Sequence, residues 1–109
     1  MKYLKKPRIR IPKTKINQFC ESHHIDKLAL FGSVLTNQFH ESSDVDVLVE
    51  FEQDHVPTFF GLVDMKDEFE KIVGRKVDLL TPKSLSHYFR NEVLEHSYLL
   101  YGKKRFHPA

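Results

Sequence analysis

Phe31-Gly32-Ser33, ten intervening residues, then Asp44-Val45-Asp46 at the head of an apolar stretch are the residues whose types and spacing speak of chemistry. Two carboxylates separated by one residue on a strand project from the same face, because side-chain direction alternates with period two. Side by side they offer hard oxygen ligands to a divalent cation such as Mg2+, which favours carboxylate and phosphate oxygens. A Gly-Ser that closes a strand ahead of a helix start presents backbone N–H groups and a hydroxyl to a phosphate. Phosphate cradle and metal-binding pair together are the equipment of a nucleotide-dependent transferase.

Asp78 is a third acid of the same kind. Its neighbours Val77 and Leu79 are apolar, so its side chain takes the opposite face of the stretch 76–80. If that stretch pairs beside 44–51, Asp78 joins Asp44 and Asp46. Three like charges held close repel strongly, and two Mg2+ ions would relieve that repulsion while clamping a triphosphate. Such ions lower the pKa of an attacking hydroxyl and offset charge on departing pyrophosphate, which is nucleotidyl transfer governed by positioning and electrostatics. Each piece alone has a plainer reading: Asp-x-Asp is common on exposed strand faces, Asp78 could be a solvated carboxylate, and Gly-Ser is often just a capped turn. The ordered composite is far more specific than its parts. Ser33 is not read as a hydrolase nucleophile, since LFGSVL lacks the Gly-x-Ser-x-Gly elbow.

The elements that must position these residues follow from periodicity. Residues 1–13 are basic and interrupted by Pro7 and Pro12, which predicts an extended arm, solvated or able to meet phosphates, RNA or an acidic partner. Thr14 is read as the cap of a helix over 15–23 whose Ile16, Phe19 and Cys20 share a face. Residues 26–31 form a first strand, 33–38 a short helix, and 44–51 the clearest strand, with Val45, Val47, Val49 and Phe51 on one side and Asp44, Asp46, Leu48 and Glu50 on the other. A helix over 59–73 carries Phe59, Leu62, Val63, Phe69, Ile72 and Val73 inward and ends at Gly74. A third strand at 76–80, a helix over 83–95 burying Leu85, Tyr88, Phe89, Val93 and Leu94, and a short strand within SYLLYG complete the chain. Short, uneven connections favour an α+β fold, a small mixed β-sheet flanked by helices, over a doubly wound parallel one.

With 109 residues, 17 Lys and Arg against 15 Asp and Glu, and nine Phe, the chain reads as one domain (14–109) behind its arm (1–13). A formal charge of +2 argues against a dedicated nucleic-acid binder. No apolar run is long enough to span a bilayer, and Cys20 is alone, so a cytoplasmic protein without internal disulfides is expected. A domain this small has little surface left for an acceptor, which points to a partner or to self-association. The seven histidines are scattered, and His23-His24 are adjacent without zinc-ligand spacing, so surface positions are expected. Arg75 and Lys76 are read as exposed charge.

LFGSVLTNQFHESSDVDVLVEF resembles the Gly-Ser-x10-Asp-x-Asp signature of the DNA polymerase β-type nucleotidyltransferase superfamily. The short length, KVDLLTP and RNEVLEHSYLLYG are similar to its minimal nucleotidyltransferases from about Lys15 onward. The resemblance implies that Gly32 and Ser33 bind the triphosphate of ATP, that Asp44 and Asp46 hold Mg2+, and that Asp78 helps to activate the acceptor hydroxyl. Members commonly serve as antitoxins to a helical HEPN ribonuclease, transferring AMP onto a tyrosine near its active site. A HEPN-type toxin partner and a type VII-like antitoxin role are therefore implied. The chain departs from the frequent Gly-Ser-Arg-Ala-Arg-Gly: Val34, Thr36 and His40 stand where basic residues are frequent, and Asn37 replaces a frequent glycine. Valine cannot replace a bidentate phosphate donor, so the alternative is an antitoxin of weak catalysis that neutralises its toxin by occlusion.

Overall fold

The computed structural model describes residues 2–107; Met1 of the arm and the last two residues of the expected domain lie outside the described residues. Four strands, β1 (Ile25–Phe31), β2 (Val45–Phe51), β3 (Val77–Leu80) and β4 (Tyr98–Tyr101), form one sheet in the order β3-β2-β1-β4. β1 runs antiparallel to both β2 and β4, whereas β2 and β3 are parallel. The sheet is therefore mixed, as expected. Three helices accompany it: α1 (Lys13–Ser22), α2 (Phe59–Val73) and α3 (Arg90–His96).

Alternation along the strands divides the core into two layers. Val45, Val47 and Val49 of β2 join Leu28 and Leu30 of β1 against Ile16, Phe19 and Cys20 of α1 and Met65 and Phe69 of α2. The Cys20 thiol is buried there, and desolvation pushes its pKa up to about 12, so it is a packing residue. On the other face Ala29, Phe31 and Leu48 meet Leu85, Leu94 and Phe106. That second layer covers the Leu48 stretch of β2 and leaves its Asp46 end free for chemistry. Among the described residues no helix is long and apolar enough to cross a membrane.

α2 matches its expected bounds. Thr58 caps it by accepting from the Gly61 N–H at 3.2 Å, and Gly74 ends it with φ +74°. Its expected apolar stripe is only half buried. Phe59 and Phe60 are 73% and 78% exposed and Val63 is exposed, whereas Met65 and Phe69 reach the core.

Three local expectations are corrected. α1 begins at Lys13 behind Pro12 with no side-chain cap, so Thr14 sits inside the helix. The expected helix 33–38 is a four-residue 3-10 turn, Gly32–Leu35. The expected helix 83–95 is broken: a 3-10 turn at Pro82–Ser84 is closed by Thr81 and Ser84, and α3 starts only at Arg90. Ser84 and Ser86 bond nearby backbone groups and so compete with helix formation. As a result Tyr88 is 85% exposed and Phe89 53%, whereas Leu85 and Leu94 are buried as expected.

The basic arm is extended but not free. The Leu4 and Arg8 N–H groups donate to the carbonyls of Leu35 and Val34 at 2.8 and 2.9 Å, and the Asn37 N–H donates to Lys2 at 3.0 Å. Tyr3 bridges to Thr36 and stacks on His96 at 4.3 Å, while Ile9 and Ile11 pack on the main core. Those apolar residues at alternate positions anchor a segment whose charge alone suggested solvent.

Candidate active site

The three aspartates meet at one end of the sheet. Asp46 is the parallel register partner of Asp78 across β2 and β3, so both side chains leave the same face. Asp44 stands two residues earlier, directly before β2, and Val45 N–H bonds the Lys76 carbonyl at 2.9 Å to fix the start of both strands. On the other side Asp46 pairs with Phe31 of β1, which places Gly32 against it. Gly32 has φ +76°, and a Cβ there would collide with the Asp46 carboxylate. Glycine is required twice over, by its backbone and by this close approach.

Electrostatics report the same proximity. The Asp46 carboxyl is half-buried and its pKa is raised from 3.8 to about 6, first by desolvation, then by the charges of Asp78 and Asp44. Asp44 and Asp78 are exposed. The donor set is all oxygen, negatively charged and open to solvent on one side, which suits a hard divalent cation. The carboxylates remain more widely spread than the 4.8 Å within which the ligand atoms of His24, Glu52 and His55 gather at the far end of the sheet.

Several residues hold this end in shape. The Arg75 Nη2 group donates to the carbonyls of His40, Glu41 and Ser43 at 2.9, 3.2 and 2.8 Å, and the guanidinium lies 4.5 Å from the centre of the Phe39 ring. It clamps the loop that delivers Asp44. Glu70 of α2 accepts from the Val77 N–H at 2.9 Å, which pins the residue before Asp78. That bond, the largest cause, and Lys66 nearby hold the Glu70 carboxyl below its usual range. Sequence reasoning left Arg75 as exposed charge and passed over Glu70. The signal available was the position of Arg75 three residues before Asp78.

The motif positions that lack arginine are turned inward. Val34 and Thr36 are fully buried. The Thr36 N–H and hydroxyl both donate to the Ser33 carbonyl at 2.9 Å, and Thr36 Oγ1 accepts from the Gln38 N–H. His40 is engaged with Ser42 through its Nδ1. A hollow of about 1040 Å3 opens near Asp26, Lys27 and Gly102, at the opposite edge from the aspartates.

Residues 14–106 match the family model described as Polymerase beta, Nucleotidyltransferase. The chain belongs to the polymerase β-type nucleotidyltransferase family. It is 35% identical over 75 residues to a Methanocaldococcus jannaschii chain provisionally named a protein adenylyltransferase, covering 69% of this chain and 75% of that one. It is 31% identical over 74 residues to the protein adenylyltransferase MntA of Thermococcus cleftensis, covering 68% and 73%. Among solved structures, a toxin-antitoxin crystal structure with AMP-PNP superposes with a TM-score of 0.68 at 20% identity, over 85% of this chain and 75% of that chain. A tri-AMPylated Shewanella oneidensis HEPN toxin in complex with MNT antitoxin gives 0.60 at 19%, over 84% and 70%. A minimal nucleotidyltransferase, also provisionally named, gives 0.64 at 28%, over 78% and 85%. The polymerase β-like fold expected of the motif is thus the fold observed.

Proposed function

We propose that this chain is a Mg2+-dependent protein adenylyltransferase that moves AMP from ATP to a tyrosine of a helical HEPN-type toxin and thereby acts as its antitoxin. The observation that carries the reading is Asp46, in register with Asp78 on one side and pressed by Gly32 on the other. In this reading the backbone at Gly32 and Ser33 receives the triphosphate, and Asp44 and Asp46 hold the metal with Asp78 beside them. Bound Mg2+ would supply charge neutralisation along the triphosphate. Asp78, exposed on the rim, accepts the proton of the tyrosine hydroxyl as its oxygen attacks the α-phosphorus. The bond between that phosphorus and the pyrophosphate oxygen breaks. Relatives named protein adenylyltransferase, and similar folds solved with a HEPN toxin, support this choice of acceptor.

The test is incubation of the purified chain with α-labelled ATP, Mg2+ and the helical protein encoded beside it. Label should pass to a tyrosine of that protein, and Asp44→Asn with Asp46→Asn should abolish the transfer. No transfer, or transfer undiminished in the double variant, would overturn the proposal. Burial of Val34 and Thr36, where family members often carry arginine, favours a second reading, neutralisation by occlusion. If the double variant still binds and fully silences the toxin, occlusion is the mechanism.

A further inference from the structure

His24, Glu52 and His55 form a cluster that no part of the nucleotidyl-transfer site uses. One ligand atom from each lies within 4.8 Å of the other two. The trio sits where β1 begins and β2 ends, since Ile25 pairs with Phe51 and His24 and Glu52 flank that pair. Glu52, just past the end of β2, lies six residue steps from Asp46, about 20 Å at roughly 3.3 Å per step. The geometry points to a second cation site of different chemistry: a borderline divalent ion, Zn2+ above all, held by two imidazoles and one carboxylate with solvent completing the shell.

The backbone already holds the three positions together. The Glu52 N–H donates to the His24 carbonyl at 2.8 Å, and the His55 N–H donates to the Glu52 carbonyl at 3.1 Å. His24 has φ +54°, a left-handed conformation uncommon for a residue with a Cβ. That backbone sends its ring away from His23, which bonds Glu68 instead, and toward Glu52, whose Oε1 is 3.7 Å from His24 Nδ1. The His24 and His55 rings stack with centroids 3.9 Å apart and planes 16° apart, so their nitrogens lie side by side. Ligand atoms on a tetrahedral Zn2+ sit about 3.3 Å apart, given bonds of about 2.0–2.1 Å. Imidazole lone pairs lie in the ring plane, so the two rings must unstack for their nitrogens to converge on one ion, and all three side chains are exposed and free of packing that would oppose it. Imidazole is a poor ligand for Mg2+, so the two ends of the sheet would sort ions by hardness. A bound ion would tie the turn after α1 to the loop that leads into Thr58 and the start of α2.

The experiment is competition for Zn2+ between the full chain and a chromogenic chelator, with Co2+ absorption as a second readout of imidazole coordination. One Zn2+ per chain is expected, unchanged in the triple variant Asp44→Asn, Asp46→Asn, Asp78→Asn and in His23→Gln. His55→Ala and Glu52→Gln should each weaken binding by about 100-fold, at least what losing an outer partner of a metal site costs. His24→Asn, which keeps the left-handed backbone, should do the same, and the conservative Glu52→Gln keeps the test valid if a histidine variant fails to fold. Affinity unchanged in the three ligand variants, or lost in the triple aspartate variant, would overturn the inference. So would a chain that takes up no Zn2+.

Discussion

At the scale of single residues, Asp46 is the group whose surroundings most alter its chemistry. Its folded pKa of about 6 stands above the ordinary 3.8, so the folded state holds that proton more tightly than the unfolded chain does. The stability it contributes is therefore complete in acid and is lost as pH rises from about 4 through about 6. Asp46→Asn removes this loss. In the presence of EDTA its Tm should exceed that of the wild type near neutral pH, and the difference should vanish at about pH 4; melting curves across pH check this. Gly32 and Gly74 form a second comparison, since both have positive φ but only Gly32 has a neighbour in the way. Gly74→Ala should cost about 1 kcal/mol from backbone strain alone, and Gly32→Ala up to about 3 kcal/mol. Urea titrations of the two variants measure the difference.

At the scale of elements, the site is built from loops that other segments hold still. The loop through residues 40–43 has its carbonyls gathered by one guanidinium, and Lys cannot reproduce that planar fork. Arg75→Lys should destabilise the protein by about 1.5–3 kcal/mol, the range for hydrogen bonds to charged groups. It should also speed amide exchange across the loop before Asp44, while exchange in the β1–β4 pair stays unchanged; hydrogen-exchange mass spectrometry reads both. On the other flank the N-terminal arm supports the Gly-Ser turn, taking up the carbonyls of Val34 and Leu35. A four-residue 3-10 turn has little dipole of its own, so this support, more than a helix end, defines the backbone offered to a phosphate.

At the scale of the whole molecule, a small sheet carries one thick core layer and one thin one. Phe69 is fully buried in the thick layer. Phe69→Ala should cost about 3–5 kcal/mol, a large share of the roughly 5–15 kcal/mol available to a domain. Phe59 and Phe60 have the same side chain in the same helix but are mostly exposed, so replacing both with Ser should leave stability within about 0.5 kcal/mol of the wild type. Chemical denaturation of the two proteins distinguishes them. Part of the chain's aromatic content is thus surface.

The signature Gly-Ser-x10-Asp-x-Asp, the common face of Asp44 and Asp46, and the type of most elements were legible in the chain because each depends on neighbours a few positions away. Strand alternation and the end of α2 at Gly74 are local in the same sense. What tertiary structure alone decided is non-local. Parallel pairing of β2 with β3 in one register brings Asp78 to Asp46, and a slip by one residue would have turned it to the opposite face. The arm's seat on Leu35, the reach of Arg75 across thirty-odd positions to Ser43, and the meeting of His24 with Glu52 and His55 follow from packing of distant segments. Periodicity does not encode such contacts, because their free energy appears only when the whole sheet closes.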